Sequence, residues 1–189
     1  MRVISGSARR VNLTAPKGLD TRPTADMAKE NLFNIISAEI RGVRFLDLFC
    51  GSGAIGLEAL SRGAQEAVFV ENAKPAIMAT LQNLEKTKLT QNAELLEMSV
   101  EKAISKLDAG GRSFDIIFLD PPYDTDLLTQ TLKQLAKTKL LSETGIIIAE
   151  TDSKIHATSP MPTLSALELT NTRIYGRTCF LFYMWRANP

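Results

Sequence analysis

The sequence predicts an α/β protein built on a doubly wound, mostly parallel sheet that ends in an antiparallel hairpin strand. From residue 44 onward, short apolar runs alternate with stretches of helical periodicity, which is the pattern of βαβ units with helices on both faces of a sheet. Two of the runs, at 116–119 and 146–149, are continuously apolar, which is typical of central strands buried on both sides. The last thirty residues break the alternation and favour a hairpin.

The N-terminal elements precede this alternation. Residues 2–5 and 10–14 are predicted to be short strands of a β-hairpin, joined by a Gly-Ser-Ala turn. A helix is predicted over 24–41 because its apolar residues recur at helical spacing, Thr24 suits the N-cap, and Gly42 follows its end.

The alternating region contains five predicted strands and four predicted helices. The strands are at 44–49, 67–71, 94–98, 114–120 and 145–150. The helices are near 54–62, 75–87, 100–107 and 126–138. Two further strands, at 167–175 and 178–185, form the final hairpin. Because no repeat, low-complexity tract or linker divides the chain, we expect a single domain over residues 1–189, in which 1–23 form an N-terminal extension.

The composition is that of an ordinary soluble globular protein. The 189 residues are 44% hydrophobic and 23% charged, and no apolar stretch approaches the roughly 18 residues that span a bilayer. The N-terminus has no apolar signal-peptide core, so we expect neither export nor a membrane partner. Two cysteines, Cys50 and Cys179, are too few for a disulfide framework, which favours the cytoplasm. With one histidine, His156, no metal site is expected.

The net charge of +1 conceals an uneven distribution. Residues 1–44 carry eight basic and four acidic side chains, residues 45–159 carry eleven and sixteen, and residues 160–189 carry three and one. The first acid is Asp20, so residues 1–23, which we call the leader, are strongly basic. Basic ends around an acidic middle suggest that the ends contact an anionic partner, although ordinary variation among solvated faces is the alternative.

The clearest local motif is a glycine-rich segment at the end of the first parallel strand. Gly51, Gly53 and Gly56 have GxGxxG spacing and open a helix, which is the context in which this motif binds a nucleotide. Glycines at the carboxyl end of such a strand allow a ligand to approach the backbone. Glu71 ends the next strand twenty residues after Gly51, where an acid can hydrogen-bond a ribose diol. These features alone also fit a nicotinamide oxidoreductase.

Asp47 indicates which cofactor this segment favours. It lies four residues before the first glycine, beside the space that a pyrophosphate would fill, where it would repel a dianion. It favours instead a ligand with a cationic head group. S-adenosylmethionine is such a ligand, because it has an ammonium, a sulfonium and no phosphate. In the alternative interpretation, Asp47 only caps the loop by accepting backbone N–H hydrogen bonds.

The fourth parallel strand ends in the tetrapeptide Asp120-Pro121-Pro122-Tyr123. The two prolines keep Asp120 and Pro121 extended and remove two backbone donors. The Asp120 carboxylate and the Pro121 carbonyl can then accept both hydrogens of a flat amino group. This favours rotation of the nitrogen lone pair toward an electrophile, with Tyr123 as a stacking surface. The alternative is a rigid turn with a surface tyrosine.

The two motifs resemble those of class I S-adenosylmethionine-dependent methyltransferases, whose sheet is Rossmann-like. Residues 47–56 resemble the first motif of that superfamily, and the tetrapeptide resembles the (D/N)PPY motif of members that methylate exocyclic or amide nitrogens. The chain is similar to the RsmD family over essentially its whole length. The further segments that carry this resemblance are Arg2-Val3-Ile4-Ser5-Gly6, Thr21-Arg22-Pro23-Thr24, Asp26, Lys29-Glu30, Leu32-Phe33-Asn34 and residues 57–64.

The resemblance implies a monomeric, cytoplasmic enzyme that transfers a methyl group from S-adenosylmethionine to N2 of a guanine in bacterial 16S ribosomal RNA. The partner would be that RNA within the small ribosomal subunit or an assembly intermediate. The implied catalytic residues are Asp120, Pro121, Pro122 and Tyr123. The implied cofactor-binding residues are Asp47, Phe49, Gly51, Ser52, Gly53, Glu71, Asn72, Ser99, Val100 and Asp120. Two of these depart from the usual pattern, since Asn72 and Ser99 stand where many methyltransferases have an acid.

RNA binding would have to come from local contacts. Guanine N2 is hidden in a helical stack, so the target should be unpaired or flipped, with Tyr123 stacked on it. Phosphate contacts are assigned to four basic side chains of the leader: Arg9, Arg10, Lys17 and Arg22. Two alternatives share both motifs, namely an adenine-N6 methyltransferase, which usually has a separate target-recognition region, and a protein-glutamine methyltransferase, which usually has Asn in place of Asp120.

Overall fold

The structure is a computed structural model in which residues 1–16, 23–123, 125–158 and 163–187 are described. The strands within these ranges are β1 Arg44–Asp47, β2 Glu66–Glu71, β3 Ala93–Glu97, β4 Phe114–Leu119, β5 Leu141–Asp152, β6 Leu167–Tyr175 and β7 Thr178–Trp185. The helices are α1 Pro23–Ile35, α2 Ala54–Ser61, α3 Lys74–Thr87, α4 Val100–Ala109, α5 Leu127–Leu135 and α6 Ser153–Thr158. A 3₁₀ turn at Thr90–Asn92 precedes β3.

The predicted fold class is confirmed. The strands form a mixed sheet in the order β3-β2-β1-β4-β5-β7-β6, in which β7 pairs antiparallel with both β5 and β6. The chain divides into two compact units, Met1–Ser99 and Val100–Pro189, and each is described in turn below. The expectation of a single domain over the whole chain stays a prediction.

The first unit is organised around β1, β2 and β3, which pair in parallel. Phe45 and Leu46 of β1 are fully buried, as are the four consecutive β2 residues 67–70. Nearly all of α2 is buried as well. Since Asp47 ends β1 and Glu71 ends β2, both acids lie at the carboxyl edge of these strands, where parallel sheets bind ligands.

The leader does not form the two strands predicted from its sequence. Arg2 and Asn12 make a single antiparallel bridge. Three backbone hydrogen bonds of 2.9–3.0 Å join the two segments: Val3 donates to Val11, Arg10 to Val3 and Leu13 to Met1. The reason is that the donors in the intervening segment are used elsewhere. The backbone N–H groups of residues 4, 5, 7 and 8 all donate to Glu58 or Ser61 of α2 instead of to a partner strand.

The first helix ends six residues earlier than predicted. Beyond Ile35 the chain continues in turns, and the hydroxyl of Ser37 donates to the Asn34 carbonyl over 3.2 Å, which competes with a continued helical ladder. Ile36 and Ile40, whose spacing suggested the longer helix, are nevertheless buried. Both residues lie in the irregular segment that follows the helix and are still buried, so the apolar pattern predicted the core residues correctly but not the helix end.

The second unit is organised around β4 and β5, which are parallel, with the hairpin of β6 and β7 beside β5. The bounds predicted for β6 and β7 are confirmed. β5 is longer than predicted because its first residue pairs with Phe114 of β4, while its last two pair with Cys179 and Thr178 of β7. The short α6 was not predicted, since its six residues contain too little apolar periodicity to show.

Candidate active site

The glycine loop, which we define as residues 48–53, connects β1 to α2. Gly51 has a φ of 56°, and a Cβ there would have no atom within 4 Å, so open space adjoins the backbone at this point. Gly53 has a φ of 77° and forms the N-cap of α2. A Cβ at Gly56 would lie 2.3 Å from Cε1 of Phe69, so only glycine allows α2 to pack this closely on β2.

Two polar side chains of α3 hold the glycine loop in place. The Thr80 hydroxyl donates to the Gly51 carbonyl over 2.9 Å, and the Asn83 amide donates to the Ser52 carbonyl over 2.9 Å. Asn83 also donates to the Thr14 carbonyl over 2.9 Å and accepts from the Thr14 amide over 2.7 Å. Asn83 therefore ties the leader to the loop. Sequence reasoning missed both residues, although polar side chains within the apolar stripe of α3 were the available signal.

Asp47 is buried and only half satisfied. Its Oδ2 accepts the backbone N–H of Gly56 over 3.1 Å, so the capping role considered above is real for one oxygen. Its Oδ1 is buried and has no hydrogen-bond partner among the described residues. Burial raises the pKa of Asp47 to about 7, against the smaller opposing effect of the Gly56 hydrogen bond. A buried acceptor without a partner is costly, so this site suits a cationic donor.

The Glu71 carboxylate is largely occupied by backbone donors. Its Oε2 accepts from Gly51 over 3.0 Å, and its Oε1 accepts from Asn72 over 2.8 Å and from Ala73 over 2.9 Å. A carboxylate has about four acceptor positions, so roughly one remains, on Oε2. Glu71 thus fixes both the glycine loop and the start of α3, and in this conformation it can accept one ribose hydroxyl. Its assignment to the cofactor stays a prediction.

The other predicted cofactor residues differ in exposure. In the first unit, Ser52 is buried, Phe49 is half-buried beside the glycine loop, and Asn72 is exposed just after β2. Ser99 follows β3 and is half-buried, and Val100 begins α4 in the second unit. Asp47 accepts a hydrogen bond from the backbone N–H of Gly56, and Glu71 accepts one from the backbone N–H of Gly51, so the two acids lie at opposite ends of the same glycine segment.

The tetrapeptide follows β4 in the second unit. Asp120 is exposed, Pro121 is buried, Pro122 is exposed, and the Tyr123 side chain is 38% exposed. The Tyr123 hydroxyl donates to Oε1 of Glu150 over 3.1 Å. Burial and then the nearby Glu150 and Asp120 carboxylates raise the pKa of Tyr123 above its usual range, so the ring stays neutral.

Glu150 is a site residue that sequence reasoning missed. It lies on β5, is half-buried, and its Oε1 is also 3.4 Å from the hydroxyl of Thr178 on β7. Burial raises the pKa of Glu150, and the hydrogen bonds from Tyr123 and Thr178 act in the opposite direction. The available signal was a carboxylate that directly follows the continuously apolar run 146–149.

The leader exposes some of the basic residues assigned to RNA. Arg9 and Arg10 are both exposed in the turn that follows Gly6, and Arg10 has a φ of 71°. That left-handed conformation is uncommon for a residue with a side chain. Lys17 and Arg22 lie outside the described residues.

The part of the chain that the structure describes contains neither a membrane-spanning helix nor a metal-binding cluster. No helix there combines the length and apolar character needed to cross a bilayer. No group of three or more His, Cys, Asp or Glu side chains there is placed to hold a metal ion.

Comparisons with known proteins identify the class and then the family. The chain is similar to a solved structure titled "Putative methyltransferase yhhF from Escherichia coli", with a TM-score of 0.83 and 28% identity over 100% of this chain and 99% of that one. Together with the sheet order and the glycine loop, this defines the fold as that of a class I methyltransferase. A family model described as "Conserved hypothetical protein 95" matches residues 1–184. The chain belongs to this family, which is the RsmD family.

Two relatives support the same assignment. The Bacillus subtilis (strain 168) protein named "Putative rRNA methyltransferase YlbH" is 39% identical over 187 residues, which cover 99% of this chain and 100% of that protein. The Escherichia coli (strain K12) protein named "Ribosomal RNA small subunit methyltransferase D" is 32% identical over 188 residues, which cover 99% of this chain and 91% of that protein.

Proposed function

We propose that this chain transfers a methyl group from S-adenosylmethionine to N2 of a guanine in 16S ribosomal RNA within the small ribosomal subunit. The chain is a ribosomal RNA methyltransferase of the RsmD family. One observation carries the proposal for the cofactor: the buried Oδ1 of Asp47 has no described partner and lies at a glycine loop with open space beside Gly51. The substrate places the enzyme in the cytoplasm, where we propose that it acts as a monomer.

The residues around the glycine loop suit the proposed cofactor. Asp47 would pair with its ammonium group, Gly51 would allow its close approach, and Glu71 would accept one ribose hydroxyl through Oε2. The remaining proposed contacts come from Phe49, Ser52, Gly53, Asn72, Ser99, Val100 and Asp120. When bound, S-adenosylmethionine would supply an electrophilic methyl group on a sulfonium, and loss of that methyl would leave the neutral thioether S-adenosylhomocysteine as the product.

The tetrapeptide would receive the target nitrogen. The Asp120 carboxylate and the Pro121 carbonyl accept the two N–H groups of the guanine amine and turn its lone pair out of conjugation. The nitrogen becomes positive as its new bond forms, so the Asp120 carboxylate stabilises the developing charge. Much of the rate then comes from holding the reacting atoms in line. The methylated nitrogen is acidic enough to lose its proton without a strong base, and Tyr123 stacks on the guanine ring.

A substitution of Asp47 tests the cofactor assignment. Because the folded protein raises the pKa of this carboxyl from 3.8 to about 7, ionisation of Asp47 destabilises the ligand-free fold. The stability falls as the pH rises from about 4, and the loss is complete above about 7. We expect Asp47→Asn to raise the unfolding free energy of the ligand-free protein at pH 8 by about 1–3 kcal/mol and to weaken S-adenosylmethionine binding by about tenfold or more.

Urea unfolding at pH 5 and pH 8 and calorimetric titration with S-adenosylmethionine measure these two effects. The stability difference between the variant and the wild type should be small at pH 5 and larger at pH 8. A variant that binds the cofactor as tightly as the wild type would remove Asp47 from the cofactor site.

A charge reversal in the leader tests the RNA contacts. Replacing Arg9 and Arg10 together by Glu should weaken binding to small ribosomal subunits and flatten its salt dependence, because each lost phosphate contact reduces the slope of log K against log salt by about 0.9. Filter binding between about 50 and 200 mM salt measures the slope. Lys102 and Lys106, which are exposed on α4, provide the matched double reversal that should leave the slope unchanged. An unchanged slope in the Arg9 and Arg10 variant would reject the assignment.

The proposed reaction is tested by mapping the methylated nucleotide. The enzyme is incubated with labelled S-adenosylmethionine and small subunits from a strain that lacks the enzyme, and the labelled nucleotide is identified by nuclease digestion and mass spectrometry. Label on the N2 position of one guanine is the expected result. Label on adenine or on protein would overturn the proposal in favour of an adenine-N6 or a glutamine methyltransferase.

A further inference from the structure

We propose that Glu150 selects guanine by accepting the hydrogen bond of its ring N1–H group. The inference rests on the proposed function and adds a specificity-determining residue to the tetrapeptide that receives the amine. Three observations support it: the position of Glu150 on β5, the hydrogen bonds already made by one of its carboxylate oxygens, and the ring nitrogen next to the exocyclic amine, which is a donor in guanine and an acceptor in adenine and cytosine.

The register of β4 and β5 places Glu150 beside the tetrapeptide. These two strands are parallel and pair Leu119 with Ala149. The next residue after each member of this pair is Asp120 on the β4 side and Glu150 on the β5 side. Neighbouring strands lie about 4.8 Å apart, and paired residues point to the same face of a sheet. A base whose amine is held by Asp120 and the Pro121 carbonyl therefore has the Glu150 carboxylate at the adjacent position of its edge.

One oxygen of Glu150 is used within the protein, and the other is available. Oε1 lies 3.1 Å from the Tyr123 hydroxyl and 3.4 Å from the Thr178 hydroxyl, and these two donors fix the orientation of the carboxylate. Oε2 accepts no hydrogen bond from the described residues. A half-buried carboxylate oriented in this way presents a fixed acceptor to whatever stacks on Tyr123.

Guanine is the common base that such an acceptor fits. Its exocyclic amine N2 is flanked on the Watson–Crick edge by N1–H, a donor. Adenine N6 is flanked by N1 and cytosine N4 by N3, and both of these ring nitrogens are unprotonated acceptors. Oε2 would therefore gain a charge-assisted hydrogen bond from guanine, whereas it would face a lone pair in adenine or cytosine. A site built to bond a ring N–H discriminates strongly against a base that lacks it.

The test compares guanine with 2-aminopurine, which has the same exocyclic amine but carries no hydrogen on N1. Small subunits are reconstituted around 16S ribosomal RNA that contains either base at the position methylated by the wild-type enzyme, and kcat/KM is measured at about pH 8. We expect the wild type to prefer guanine by about tenfold or more, since a hydrogen bond to a charged group contributes about 1.5–3 kcal/mol.

Glu150→Gln should reduce kcat/KM for guanine. It should also lower the ratio of kcat/KM for guanine to that for 2-aminopurine by at least about tenfold, because the glutamine amide can donate to N1 of 2-aminopurine. Glu143→Gln is the matched control, since Glu143 is an exposed acid on the same strand, and it should leave both rates unchanged. Thermal unfolding and S-adenosylmethionine binding confirm that each variant is folded.

Two results would overturn the inference without affecting the proposed function. One is a wild-type enzyme that methylates guanine and 2-aminopurine equally well, a comparison that needs no variant. The other is a Glu150→Gln enzyme in which both rates fall by the same factor, because Glu150 would then only position Tyr123. If the wild type methylates no guanine at all, the proposed function fails instead.

Discussion

Asp120→Ala is expected to abolish methyl transfer while leaving the affinity for S-adenosylmethionine within a few-fold of the wild type. The substitution removes the carboxylate that accepts one N–H of the amine and stabilises the positive charge that develops on nitrogen. Loss of one preorganised electrostatic group of this kind costs about 10²–10³-fold in kcat, and the lost orientation of the lone pair adds to that cost. Cofactor binding depends mainly on the glycine loop, so it should be largely retained.

Calorimetry with S-adenosylmethionine and a labelled-methyl assay with small subunits separate the two effects. Asp126→Ala is the matched control, because Asp126 is exposed and its side chain makes no capping hydrogen bond to α5. Asp120→Asn keeps an acceptor oxygen but loses the charge, so an intermediate rate is expected. If Asp120→Ala loses binding and transfer by the same factor, Asp120 belongs to the cofactor site and not to the nitrogen site.

The features that sequence predicted well are those encoded by neighbouring residues. The glycine segment and the tetrapeptide are contiguous, so the sequence locates both, while the cofactor and nitrogen roles assigned to their residues stay predictions. The final hairpin was predicted with its observed bounds because both strands are apolar and β-prone and Gly176 marks the turn between them. Asp47 shows the limit of this reasoning, since the sequence offered capping and ligand binding as alternatives while the carboxylate has one oxygen suited to each.

The features that sequence missed depend on partners distant along the chain. Asn83 bonds to Thr14 and to Ser52, and Glu150 bonds to Tyr123, so each partner is 27 to 69 residues away. No local pattern specifies such pairs. Glu71 is a different case: its position at the end of β2 predicts a ribose contact, which stays a prediction, and backbone donors of Gly51 and of the start of α3 occupy most of its acceptor positions. Contacts made by the tertiary fold therefore determine how many hydrogen-bonding positions of a motif residue remain available to a ligand.

Glu58 shows how a buried charge can attach the leader to the rest of the first unit. It lies in the middle of the buried helix α2 and is fully buried. Its carboxylate accepts from the backbone of Ile4 over 2.7 Å, from the backbone of Ser5 over 3.0 Å, and from Arg62 Nε over 2.7 Å. Lys29 Nζ lies 3.6 Å from the same carboxylate and donates to the Arg2 carbonyl over 2.6 Å. Burial lowers the pKa of Lys29, and the Glu58 carboxylate opposes that effect.

Glu58→Ala is therefore expected to lower the free energy of unfolding by about 3–5 kcal/mol. The substitution leaves the buried Lys29 ammonium without its carboxylate and the Ile4 and Ser5 amides without their acceptor. Urea unfolding measures the loss, and trypsin should cleave after Arg9 and Arg10 faster than in the wild type because the leader is released. Glu85→Ala, an exposed position on α3, should change the stability by less than about 0.5 kcal/mol.

A double substitution distinguishes a charge effect from lost packing. When Lys29→Met accompanies Glu58→Ala, no uncompensated ammonium remains, so the combined loss should be smaller than the sum of the two single losses. Additive losses would mean that the carboxylate acts through the Ile4 and Ser5 amides and Arg62, and not through Lys29. A loss below about 1 kcal/mol with unchanged trypsin cleavage would contradict the attachment of the leader by Glu58. Because Arg9 and Arg10 lie on the leader, its release should also weaken RNA binding, which links this buried carboxylate to substrate recognition.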